Sequence, residues 1–305
     1  MTAISPIARR SLVTANLICL ASMVVWAAGL PAADLILPHM PPIALTAGRA
    51  TLAALVLLPV WWAIEGRGAV LGADWLTGAW VGFVTLGLAS FFVIIALQFN
   101  DPVTVAIVTA AMPVMGVLLE CLADRRPFTR ALGIGLVLSV AGGLIAVSAA
   151  EGAVDFGIGV LAALASVLCY TWGSRETVRA LPNLTPLGRS AVTVAGCAAV
   201  ALIAALGDGI LRGSWPDWAA IGLPELAGLA IFGIGAMAVS QLMWIIAVGR
   251  MGIGAASMHM NAVPFYVMVM VFALGGAWSW VQTFGALVVV IGALVAQGMI
   301  GKAAT

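Results

Sequence analysis

Apolar residues fill this chain in long runs, and polar or turn-forming residues fall mainly between them. The first run covers about 12–31 and stops short of Pro38 and Pro41-Pro42. Nine more follow, at 43–64, 75–99, 102–122, 130–149, 157–175, 187–206, 222–248, 252–274 and 279–300. Asn100-Asp101-Pro102, Arg125-Arg126-Pro127, and Pro182 with Pro186 punctuate the later gaps as turn chemistry does. A bilayer core takes about twenty residues of α-helix to cross, so the pattern predicts ten transmembrane helices joined mostly by short connections. No stretch between them is long enough for an extramembrane domain.

The order of residues also repeats. ASMVVW (Ala21–Trp26) reads against ASVLCY (Ala165–Tyr170), and the same shift pairs Pro42 with Pro186, Ala54 with Ala198 and Leu58 with Leu202. Farther on, IIAL (Ile94–Leu97) reads against IIAV (Ile245–Val248), a slightly longer shift that pairs Gly82 with Gly233 and Pro113 with Pro264. A longer loop between the seventh and eighth spans accounts for the change. Five spans are an odd number, so the second copy enters the membrane from the opposite side. The expected fold is an all-α polytopic membrane protein: ten helices as two inverted five-helix repeats, residues 1–152 and 153–305, around a central cavity. Inverted repeats are common in secondary transporters, which hold the solute near the midplane between the halves.

Composition agrees. The chain is 63% hydrophobic and only 8% charged, with a mean hydropathy of +1.17, whereas a soluble domain carries about a quarter charged residues. Its outer surface is therefore expected to face lipid. The formal charge of +1, with no basic run, argues against nucleic acid as a partner. Placing the N-terminus inside puts every one of the 13 Lys and Arg except Arg49 and Arg212 on the cytoplasmic side, the orientation that the positive-inside rule selects. Both termini are then cytoplasmic. Arg9-Arg10, the apolar run and Ala32-Ala33 also imitate a secretory signal, but a run long enough to span, followed by many like it, reads better as a retained first helix. Cys19, Cys121, Cys169 and Cys197 lie scattered in apolar stretches without metal-ligand spacing and read as buried small side chains.

The ten spans in two copies, the ASxxxW and ASxxxY signatures on the first span of each copy, and Pro113 and Pro264 within the fourth and ninth spans resemble the drug/metabolite transporter superfamily, and more narrowly its EamA-type members. The closest likeness is to bacterial exporters of aromatic and other amino acids. That resemblance implies a basket of helices around a central cavity, the fifth and tenth spans at the periphery, amino-acid export, and a place in the bacterial inner membrane. Gly135, Ser139 and Gly143 on the fifth span, and Gly292 and Ala296 on the tenth, recur every four residues. Such spacing lets helix backbones approach closely, within the monomer in preference to a dimer seam.

Polar groups within the spans cost free energy unless they meet a partner or water, so they are expected to point inward. Ser22 with Trp26, and Ser166 with Tyr170, are each four apart on one helical face, and inversion sets the pairs across the cavity from one another. Trp and Tyr offer a flat apolar surface with one hydrogen-bonding tip. On the eighth span Gln241 and Trp244 share a side, and Ser90 is the first-copy counterpart of Gln241. On the ninth, Ser257 and Asn261 share one face while His259 and Tyr266 share another, so one set meets the solute pathway and the other packs. Trp172 lies on a packing face. Pro113 and Pro264 each remove a backbone donor, which serves gating or a passive bend. Arg49, the basic residue clearly inside a span, could pair with a substrate carboxylate; an ion pair with Asp34 or Asp101, or snorkelling to the interface, is the preferred expectation. Glu120 and Asp124 read as cytoplasmic-surface charges. No carboxylate chain crosses the membrane as a proton relay; Glu120 and His259 are the titratable candidates on the inner side. The sequence has no GxxxxGKS/T phosphate loop, no HExxH and no GxSxG, so it predicts neither an ATPase nor an enzyme, and no metal or cofactor.

Overall fold

The structure, a computed structural model, describes residues 6–123, 128–148, 157–251 and 256–296. Asp124, Arg125, Arg126 and Lys302, used above to orient the chain, lie outside the described residues, as do the expected repeat boundary at 152/153 and the side chains of Arg9, Arg10, Glu120 and Ala296. Each of the ten expected runs is helical in its described part. These are α1 (Pro6–Ile36), α2 (Pro42–Leu71), α3 (Trp75–Phe99), α4 (in two pieces, Pro102–Thr109 and Met112–Ala123), α5 (Arg130–Ser148), α6 (Ile158–Ala180), α7 (Pro186–Arg212), α8 (Leu223–Met251), α9 (Met258–Ala273) and α10 (Trp280–Ala296). Six of them, α1–α3 and α6–α8, are long and apolar enough to cross a membrane, and the other four form shorter apolar helices. Large apolar side chains such as Leu76, Ile203, Ile210 and Leu211 cover the outside, far beyond what water tolerates on a soluble monomer. The chain is a multi-pass membrane protein.

The helix boundaries follow the punctuation. Asp101 accepts from the backbone N–H of Val103 and Thr104 at 3.0 Å each, with Pro102 in the first turn of α4. The Thr185 hydroxyl accepts from Gly188 N–H at 3.1 Å, with Pro186 opening α7. Each cap satisfies amide donors that the helix itself leaves orphaned. Near the C-terminal end of α2, Gly66 takes φ 81°, a left-handed angle that side-chain-bearing residues rarely adopt, and the helix breaks there.

Besides α2, four helices depart from α geometry among the described residues, in two matched pairs. Residues 83–88 of α3 and 231–239 of α8 wind as π-helix. In α4 the winding breaks at Ala110-Ala111, and α9 opens with a 3-10 turn over Met258–Ala262. Pro113 and Pro264 therefore do not kink continuous helices: each stands second in a new helical segment, where a missing N–H costs nothing.

Contacts between the helices are matched as well. The Ser22 hydroxyl on α1 donates to the Ser240 carbonyl on α8 at 2.8 Å, and the Ser166 hydroxyl on α6 donates to the Ala89 carbonyl on α3 at 2.8 Å. Gly233 on α8 lies so close to α2 that a Cβ would meet the Arg49 carbonyl at 3.0 Å, and a Cβ on Gly82 of α3 would run into the Thr193 carbonyl of α7. Most buried apolar side chains fall into two clusters, one drawing chiefly on α1, α3, α4, α6, α8 and α9, the other on α2, α7 and their neighbours, with a small third cluster of Val114, Leu132 and Ala293. Helices α5 and α10 pack on each other and reach the first cluster through Ala146, Ala286 and Val289. A Cβ on Gly285 would sit 2.7 Å from the Gly142 carbonyl, and one on Gly292 would sit 2.8 Å from the Gly135 carbonyl. The small-residue stripe thus closes a seam inside the monomer.

Candidate functional site

A cavity lies between the helices, with about 720 Å³ of empty space when its open mouth is included. Its wall draws on α1 (Met23, Trp26), α2 (Arg49), α3 (Thr85, Ser90), α4 (Thr109, Met112), α6 (Ser166, Tyr170), α8 (Phe232, Ser240, Gln241) and α9 (Met260). Helices α5, α7 and α10 do not reach it. Most of the wall is aliphatic, aromatic or thioether surface, interrupted by a few hydroxyls, one amide and one guanidinium.

Of the residues singled out from the sequence, Trp26, Ser90, Ser166, Tyr170 and Gln241 line this cavity. The Tyr170 hydroxyl donates to Gln241 Oε1 at 2.8 Å, tying α6 to α8. Behind Tyr170 stands Trp244, wholly buried, its ring centroid 6.1 Å from that of Tyr170 and its Nε1–H donating to the Ser174 hydroxyl at 3.2 Å. Trp244 supports the wall without facing the space. Ser22 is likewise buried, its hydroxyl 3.3 Å from that of Ser240 and bonded to the Ser240 carbonyl. Of these two paired serines on α1 and α8, Ser240 is the one that reaches the cavity.

Neither polar set on the ninth span lines the cavity; Met260, between them, does. The two-face expectation assumed about 100° per residue. Residues 258–262 instead wind as a 3-10 helix at about three residues per turn, which swings Met260 inward. Asn261 is buried with its Oδ1 lacking a hydrogen-bond partner. His259 Nδ1 lies 3.3 Å from the Ala256 carbonyl, so its ring engages its own segment. Pro113 and Pro264 stand off the cavity wall too.

Arg49 corrects the sequence-based expectation. It is 5% exposed and does not snorkel, and among the described residues no carboxylate pairs with it: the ion pairs found are Arg179–Glu176 and Arg212–Asp208. Asp101 instead caps α4 and accepts from Gln282 Nε2 at 3.0 Å. The guanidinium of Arg49 lies 3.8 Å over the Phe232 ring and donates through Nη1 to the Ser90 hydroxyl at 3.2 Å. A cation on an aromatic face is a favourable contact, but it leaves the charge uncompensated. The signal that could have placed Arg49 here was the repeat itself, since Gly233, its close neighbour, is the counterpart of Gly82.

Residues 13–148 match the EamA-like transporter family. A comparison with curated proteins finds no match. One solved crystal structure, described only as that of a protein, aligns over 94% of this chain and 97% of its own length with a TM-score of 0.69 and 23% identity. At that identity the likeness establishes the fold alone.

Proposed function

We propose, from the match of residues 13–148 to the EamA-like transporter family, that the protein is a secondary transporter that exports amino acids, aromatic and other neutral ones foremost, by alternating access. The observation that carries this reading is the cavity whose wall takes side chains from α1–α4 and from α6, α8 and α9. Solute held there can be passed from one side to the other if the two groups of helices rock about it.

Two inverted five-helix units, residues 1–152 and 153–305, supply such a device. Several observations support them. The family match stops at residue 148, where α5 ends. The shift that aligns Ser22 with Ser166 in sequence, and the one that aligns Ala89 with Ser240, together turn the bond from Ser22 to Ser240 into the bond from Ser166 to Ala89. The Gly233–Arg49 and Gly82–Thr193 approaches, the two π segments and the two broken helices obey the same exchange. Two copies related by a pseudo-twofold axis produce this pattern. In this reading the protein sits in a bacterial inner membrane with both termini cytoplasmic, and it works as a monomer with a small-molecule solute and the lipid bilayer as its partners. Trp26, Ser90, Ser166, Tyr170 and Gln241 contact the solute, while Ser22 and Trp244 hold the wall.

Export of another small metabolite or drug on the same scaffold is the alternative, and a channel is the rival of another class. Counterflow in proteoliposomes separates them. Saturable exchange of labelled amino acid against an excess of unlabelled amino acid is the expected result. Non-saturating, voltage-driven current without exchange identifies a channel, and exchange of other metabolites but of no amino acid removes the amino-acid assignment.

A further inference from the structure

The cavity wall carries unpartnered donors and one full charge. Arg49 gives a single hydrogen to Ser90 at 3.2 Å, and its buried Nε–H meets no acceptor. Ser90, accepting from Arg49, keeps its own hydroxyl proton to donate. Gln241 is 3% exposed; its Oε1 is taken by Tyr170, and its buried Nε2 has no partner. All three side chains line the same space. A buried guanidinium stays protonated, and a buried charge left unpaired is strongly unfavourable. Such a wall is complete only when an acceptor of opposite charge enters it.

Among the described residues, no Asp or Glu lines the cavity. An ammonium group entering it therefore finds no counter-charge. One guanidinium neutralises one negative charge, so a dianionic phosphate would remain half compensated, whereas a carboxylate matches the fork of Arg49 in charge and shape. Elsewhere on the wall, Met23, Trp26, Met112 and Met260 offer soft apolar surface. Phe232, 2% exposed and packed under the guanidinium, fixes the direction of the fork.

We infer that Arg49, assisted by Ser90 and Gln241, anchors the carboxylate of an apolar-bodied monoanion, and that the amino group of the solute is dispensable for binding. This rests on the transporter reading and narrows it: the class extends from amino acids to carboxylic acids of the same body that lack the amine.

Four probes sharing one phenyl group test it on the purified full-length chain in detergent micelles, by titration calorimetry: phenylalanine, 3-phenylpropanoate, 3-phenylpropanamide and phenethylamine. Phenylalanine and 3-phenylpropanoate are expected to bind, with the amide and the amine at least about tenfold weaker. Arg49→Gln should weaken 3-phenylpropanoate at least about tenfold and leave the amide unchanged, with Arg49→Lys falling between. Binding of the amine or the amide within threefold of 3-phenylpropanoate overturns the inference, as does binding of none of the four. If Arg49→Gln does not fold, the wild-type panel decides alone. The two readings fail separately: saturable counterflow without a carboxylate preference removes the anchor and keeps the carrier. Arg49-dependent carboxylate binding with no exchange of any solute removes the carrier.

Discussion

Tyr170 and Gln241 meet across 71 positions of chain, and their hydrogen bond closes the side of the cavity where α6 faces α8. Tyr170→Phe keeps the ring against Trp244 but leaves Gln241 with neither end partnered inside a buried wall. Leaving a buried polar group unsatisfied costs about 1–3 kcal/mol. The variant is expected to unfold at lower temperature in detergent by that amount, measured by a thermal-shift assay, and to weaken solute binding. Much of this residue chemistry was legible in the sequence: a Gln and a Tyr in apolar helices had to find partners inside, and both do. Arg49 was not, because its partners Phe232 and Ser90 are distant in the chain, and nothing local says whether a guanidinium two turns into a helix turns outward to the interface or inward to a ring. The exclusion of both Ser22 and Trp244 from the cavity had a similar cause. Four-residue spacing names a face, but the depth of burial on that face is set by the neighbouring helix.

Among the helices, α3 shows how an end is fixed. Asp74 stands at its N-terminus, outside the membrane span, and accepts from Thr77 N–H at 3.1 Å. The Thr77 side chain, with its backbone amide, holds the Asp74 carboxyl below its ordinary range. A carboxylate depressed on folding stabilises above its unfolded value of about 4 and loses that contribution as pH falls through the lower folded value. The first turn of α3 is therefore expected to fray below about pH 4, read as faster hydrogen exchange at the Thr77 amide relative to the mid-helix, and Asp74→Asn should remove the pH dependence. Helix existence and helix caps were readable because apolar runs and Asp-Pro or Thr-Pro junctions are local signals. The winding was not. No residue type announces the π turns of α3 and α8 or the 3-10 turn of α9. Every facing argument that assumed a constant rotation per residue failed where they occur, as at Met260.

Across the molecule, α1 pairs with α8 as α6 pairs with α3, while α2 meets α7 and α5 meets α10. The proposed alternating access requires some of these seams to part. The Ser22–Ser240 seam, held by side-chain hydroxyls 3.3 Å apart, is placed to do so. A Ser22→Cys/Ser240→Cys pair is expected to form a disulfide under mild oxidation and to arrest counterflow, with recovery on reduction, as measured in the proteoliposome assay. The α5–α10 seam is of another kind. Its glycines bring main chain against main chain, so no rotamer can flip and no hydrogen-bonding tip can change partner as the bundle moves. In the proposed cycle such a pair is expected to travel as one rod, a fixed bearing at the rim against which the mobile helices turn.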